Sequence, residues 1–115
     1  MHEHGIADSI LDRILEQMRL QGADRVLSTT ITVGELSGIS PDALIHGIHH
    51  CCEHEQIQPF DIEVITQDTT LRCEDCGREQ VLDDTMSCSH CGSDNVSVKP
   101  NTGVSITEIR LDVSR

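Results

Sequence analysis

Four cysteines in two matched pairs, Cys73-x2-Cys76 and Cys88-x2-Cys91, constrain this chain more than any other feature. Each pair is followed directly by glycine, in CEDCG and CSHCG. A turn that aims backbone N–H groups at thiolates favours positive φ just after the second cysteine, where glycine carries no Cβ penalty. Four thiolates about 2.3 Å from one ion form a closed tetrahedral site, the arrangement of a structural zinc. Such an ion folds the segment that holds it and offers no position for catalysis. The competing reading is a thioredoxin-like redox pair, which calls for one C-x-x-C motif, not two matched ones. His90, inside the second motif, is read as exposed rather than as a ligand. Residues 68–102 around these cysteines lack sustained apolar periodicity, so the spacing predicts an insert held by a metal instead of a core.

The remaining sequence carries the periodicity that the insert lacks. In GIADSILDRILEQMRLQ, residues 5–21, apolar positions recur every three or four residues and predict an amphipathic helix, with Gly22 placed to end it. VLSTTITVGEL, residues 26–36, is β-branched and predicts a strand with Leu27, Thr29, Ile31 and Val33 on one face. Ser40-Pro41-Asp42 then combines an N-cap, a proline at the first helical position and an early acid, which starts a second helix over 41–55. Residues 60–66 and 104–113 alternate as one-sided strands; in the last, Ile109, Leu111 and Val113 share a face. Strand, helix, strand in that order implies a parallel pair, to which the final strand adds antiparallel.

The expected class is therefore α+β: two helices on one face of a three-stranded mixed sheet, with an inserted four-cysteine zinc ribbon. Its organisation is expected as residues 1–67, the ribbon at 68–102, and a return to the first unit at 103–115. At 115 residues this is about one domain, and Phe60 is its only aromatic.

Charge narrows the function. With 20 acidic and 8 basic residues the net charge is −12, and the acids are spread along the chain. Nucleic-acid binding draws on Lys and Arg, with aromatic platforms for single strands, and anionic membranes also select basic surfaces. Neither partner is expected. No apolar run reaches the roughly 20 residues of a membrane span, and no signal peptide is read at the start, so a cytoplasmic protein is expected. There is no nucleophile elbow, phosphate loop or H-E-x-x-H motif, so no enzyme is read either.

Two further clusters hold metal-ligating residues. In HGIHHCCEHE, residues 46–55, His46, His50 and His54 share a helical stripe beside His49 and Glu53. This is either a solvated polar face or a weak secondary metal site. Cys51 and Cys52 lie near the apolar line of Leu44, Ile45 and Ile48 and are read as small buried hydrophobes. The second cluster is the opening MHEH. The Met1 amine, the deprotonated His2 amide and the His2 imidazole can close adjacent chelate rings in one plane, a donor set that suits Ni(II) or Cu(II). Glu3, His4, water or a partner's ligand could complete it; equally, these residues could be an ordinary solvated terminus.

The sequence resembles the HypA/HybF family of hydrogenase nickel-incorporation proteins. The likeness rests on the M-H-E start, the first helix, VGELSGISPDAL (33–44), IEVI (62–65), the two C-x-x-C-G motifs with LDD between them, and GSDNV before the closing strand. It covers essentially the whole chain. It implies a nickel metallochaperone with His2 as principal Ni(II) ligand and Glu3 in support, and structural zinc on Cys73, Cys76, Cys88 and Cys91. It further implies delivery to [NiFe] hydrogenase, with a HypB-type GTPase and the hydrogenase large-subunit precursor as partners, and service to urease in some members. The chain departs from the pattern at His4 and along 46–54, so His4, His46 and His50 are candidates for a secondary metal site. A monomer or weak homodimer is expected. The alternative is a zinc-ribbon adaptor that binds other proteins and transfers no metal.

Overall fold

The computed structural model describes residues 3–113, with side chains described from Gly5 onward. Met1, His2 and the side chains of Glu3 and His4, on which the terminal donor set depends, lie outside the described residues.

Helix α1 spans Glu3–Leu20 and starts two residues earlier than the apolar spacing alone indicates. It buries Ala7, Ile10, Leu11 and Ile14 on one face. Gly22, at φ 65°, ends it as expected: its N–H and that of Ala23 donate back to the Arg19 and Met18 carbonyls at 3.1 and 2.9 Å. Strand β1 is Arg25–Gly34 and helix α2 is Pro41–His54, whose N-cap Ser40 accepts the Ala43 N–H at 3.3 Å. Strand β2 is Asp61–Gln67.

Strand β1 pairs in parallel with β2, Ser28 opposite Asp61 through Gly34 opposite Gln67. Helix α2 makes the crossover that a parallel pair requires. Along its other edge β1 pairs antiparallel with the final strand β6, Val104–Asp112, giving the order β2-β1-β6. The helices cover one face and enclose a core of Ile10, Leu11, Ile14, Ile31, Val33, Leu44, Ile48 and Phe60. The expected α+β layering is what the chain adopts.

Two face assignments differ from the simple alternation. The β1–β6 register shifts between Val26 and Ser28, so Val26 turns into the core and Leu27 is 43% exposed. A second shift between Thr30 and Ile31 brings Ile106 to the core beside Ile109 and Leu111, and Val113 lies beyond the strand, exposed. One extra residue in a ladder reverses which side chains face inward.

Residues 68–102 form a second antiparallel sheet of β3 (Thr70–Cys73), β4 (Glu79–Val81) and β5 (Val96–Lys99), ordered β4-β3-β5. Its described buried side chains are few, chiefly Leu71, Thr69, Cys73 and Cys88, as expected of a segment that lacks apolar periodicity.

The sheets meet in a dense set of backbone bonds. The Gly34, Glu35 and Leu36 N–H groups donate to the carbonyls of Gly103, Gln67 and Asn101 at 2.7, 2.8 and 2.9 Å. The Glu35 carboxylate accepts the Thr69 N–H at 2.7 Å, and the buried Thr69 hydroxyl accepts the Asn101 N–H at 3.3 Å. No described helix is long and apolar enough to cross a membrane.

Candidate metal centre

Cys73 ends β3, and the chain then turns through Cys76 and Gly77 so that the Gly77 N–H returns to the Cys73 carbonyl at 2.9 Å. The second motif repeats the turn, with the Gly92 N–H on the Cys88 carbonyl at 2.9 Å. Gly77 and Gly92 take φ of 80° and 76°, the conformation that their position after each pair implied. Each turn aims an N–H at the leading sulfur: Cys76 N–H to Cys73 Sγ at 3.4 Å, and Cys91 N–H to Cys88 Sγ at 3.5 Å.

The two turns face each other. Cys73 Sγ lies 3.5 Å from Cys91 Sγ and Cys76 Sγ lies 3.6 Å from Cys88 Sγ, and all four sulfurs fall within 4.8 Å of one another. Four ligands at about 2.3 Å from a tetrahedral ion sit about 3.8 Å apart, so small adjustments would seat one ion among them. Cys73 and Cys88 are buried, whereas Cys76 and Cys91 reach the surface.

The turn amides also tune the sulfurs. The N–H of Cys91 and then that of His90 pull the Cys88 thiol down to about 6, against the opposing effect of burial. The Cys76 N–H likewise lowers Cys73. Cys91 goes the other way, to about 12: the Ser93 N–H lowers it, but the hydrogen bond to Cys73 and burial outweigh that pull. A cation bound among the sulfurs would displace the protons they still carry.

Side chains between the cysteines tie one turn to the other. Gln80, on β4, donates from Nε2 to the Ser87 carbonyl at 3.1 Å. Its Oε1 accepts from the Ser89 N–H at 2.9 Å and the Ser89 hydroxyl at 3.0 Å, so it grips both neighbours of Cys88. Asp75, inside the first turn, accepts from the Ser93 hydroxyl and from Asn95 Nδ2 at 3.2 Å. Those two bonds, Ser93 first, hold its carboxyl below the usual range. The Ser97 hydroxyl donates to the Glu74 carboxylate at 2.7 Å. Sequence reading missed Gln80 and Asp75, because ordinary polar residues between cysteines give no periodic signal.

The α2 histidines are placed differently. His46, His50 and His54 lie exposed on the helix, while His49 turns inward with Nε2 3.0 Å from the Phe60 carbonyl oxygen. Among the described residues, only the four cysteines bring three or more metal-ligating atoms together. His90 is exposed and stands outside that group. Cys51 and Cys52 are buried in the core, and the Cys51 thiol donates to Asp8 Oδ1 at 3.0 Å across the α1–α2 packing. Burial, then the Asp8 carboxylate, pushes Cys51 up to about 12, which keeps it an inert thiol.

Comparison with known proteins agrees with this architecture. Hydrogenase maturation factors HypA from Crocosphaera subtropica and Thermococcus sibiricus are 29% and 25% identical to it, each over 97% of this chain and 96% and 97% of their own lengths. Among solved structures, that of the Ni metallochaperone HypA from Helicobacter pylori covers 99% of the chain at TM-score 0.66 and 16% identity, and all of the solved chain is matched. A second HypA solution structure reaches TM-score 0.74 at 17% identity, covering 99% of this chain and 98% of its own, and these two show a shared fold. The model of the family described as "Hydrogenase/urease nickel incorporation, metallochaperone, hypA" matches residues 1–111. The chain therefore belongs to the HypA family, whose members are nickel-incorporation metallochaperones and not enzymes.

Proposed function

We propose that this chain carries Ni(II) as cargo on its N-terminus and delivers it for assembly of the [NiFe] hydrogenase active site. The observation that carries the reading is the family match beginning at residue 1, which takes in the M-H-E start. The Met1 amine, the His2 amide nitrogen and the His2 imidazole would supply three in-plane nitrogen donors, with Glu3 in support. An incomplete, exposed donor set suits transfer, since a recipient can replace its ligands one at a time. Helix α1 begins at Glu3, so Met1 and His2 immediately precede it in the sequence.

Cys73, Cys76, Cys88 and Cys91 would hold structural zinc, and the gathered sulfurs support that assignment. The ion would supply folding energy to residues 68–102, the ribbon unit, while 1–67 and 103–115 form the nickel-carrying unit. His4, His46 and His50 are left as secondary donors that the tighter terminal site precedes in loading. A HypB-type GTPase and the hydrogenase large-subunit precursor are the proposed partners, with urease as a further destination and the cytoplasm as the place of action.

The test is a Ni(II) titration of zinc-loaded wild type, His2→Ala, and protein extended by several residues before Met1. Both changes are expected to weaken the tightest nickel site at least tenfold. Unchanged tight binding in either would show that the cargo sits elsewhere.

A further inference from the structure

A nickel carrier that also holds four thiolates faces a partition problem. The four sulfurs are a dense, soft donor set, and Ni(II) and Zn(II) stand too close in the affinity order for ligand type alone to separate them. Geometry separates them: Zn(II) takes tetrahedral sulfur, whereas Ni(II) favours a planar arrangement. Tetrahedral ligation sets the Sγ–Sγ axes of the two C-x-x-C turns roughly at right angles; planar ligation lays both axes in one plane. Passing from one to the other requires the second turn to rotate against the first.

We propose that Gln80 and Asp75 block this rotation and so are the residues that keep the nickel cargo out of the cysteine site. This rests on the reading of that site as a zinc site. Gln80 and Asp75 take hold of the second turn at its two ends. Gln80 reaches from β4 to Ser87 and Ser89, immediately before and after Cys88. Asp75 reaches from within the first turn to Ser93 and Asn95, just beyond Cys91. The Glu74 N–H adds a backbone bond to the Asn95 carbonyl at 2.9 Å, and Ser97 adds one to the Glu74 carboxylate. With both ends of the second turn tied, its axis cannot swing without breaking several bonds together. None of these side chains belongs to the gathered set of sulfur atoms; they are positioning residues that act through the backbone carrying Cys88 and Cys91. Outer partners of metal ligands commonly change affinity 10- to 100-fold on removal. Here the prediction is that they change it unequally for the two metals.

The experiment loads metal-free full-length protein with competing Zn(II) and Ni(II). It reads nickel at the cysteines by sulfur-to-Ni(II) charge-transfer absorption, which the nitrogen donors of the terminus do not produce. Wild type is expected to show almost none of this absorption. Gln80→Ala combined with Asp75→Ala is expected to lower the Zn(II)-over-Ni(II) preference at the sulfurs at least tenfold. Asp75→Asn with Gln80 intact, which keeps an acceptor for Asn95 and lets the new amide donate to the Ser93 hydroxyl oxygen, should retain most of it. If the double variant weakens both metals by the same factor, the side chains only stabilise the ribbon and the proposal is overturned. An unchanged preference also overturns it. If wild type takes up no zinc on its sulfurs, the zinc reading itself fails and this proposal goes with it.

Discussion

Replacing Gly34 with alanine probes the junction on which the relative placement of the two sheets depends. A Cβ at Gly34 would stand 2.1 Å from the Asn101 carbonyl oxygen and 2.4 Å from its carbon, both backbone atoms, where such contacts stay above 3.0 Å. Neither partner is a flexible side-chain end, so β1 and the 101–103 segment must separate. Opening that gap takes the 2.7 Å bond from Gly34 to Gly103 and the 2.9 Å bond from Leu36 to Asn101 out of hydrogen-bonding range. At about 0.5–1.5 kcal/mol for each bond, with the Thr69–Asn101 bond strained beside them, the cost comes to about 2–3 kcal/mol. For a domain of this size that corresponds to a fall in Tm of about 6–15 °C. Gly22→Ala is the control: its φ of 65° strains any side chain, but nothing lies within 4 Å of the added methyl. That change should cost about 1 kcal/mol. The assay is urea unfolding of zinc-loaded protein followed by helical circular dichroism. A Gly34→Ala shift no larger than that of Gly22→Ala would refute the steric account of the junction.

Other outcomes follow from the core and the cysteines. Ile48→Ala, at a position with no exposure between α2 and the sheet, should cost about 2–5 kcal/mol in the same assay; a loss under 1 kcal/mol would mean the cavity collapses freely. The Cys51 thiol, raised from 9.0 to about 12, keeps its proton more tightly folded than unfolded. Its contribution to stability is therefore complete below pH 9 and lost as the pH rises from 9 towards 12. Cys51→Ala should flatten part of that alkaline decline, and rapid alkylation of Cys51 at pH 8 in the folded protein would contradict the assignment. Replacing Cys91 with serine should release zinc and abolish amide protection over 70–99 while α1 keeps its own; retained zinc with an intact second sheet would argue against a four-sulfur site.

Much of this molecule is legible without coordinates because its signals are local. The C-x-x-C-G spacing announces the two turns, and the glycines after each pair do take the positive φ that those turns require. Ser40-Pro41 marks the start of α2, and Gly22 marks the end of α1. Strand faces are less secure, since one bulge moves Leu27 outward and Val26 inward while leaving the composition of β1 unchanged. The histidine stripe on α2 shows the limit from the other side. Spacing puts His46, His50 and His54 on one face, but they lie at the surface, and among the described residues no three ligand atoms are gathered there.

The sequence by itself determined the two helices, the three strands of the first sheet, their order and the two cysteine turns, because helix caps, periodicity and turn glycines act over a few residues. The short strands of the second sheet left no such pattern. Tertiary structure alone decided how the two cysteine turns face each other, which polar side chains tie them, and where Gly34 must yield to Asn101. Those contacts join residues far apart in the chain, as Thr69 does when it meets Glu35 and Asn101. Their energies depend on distances that the fold sets, and no local pattern of residues records them.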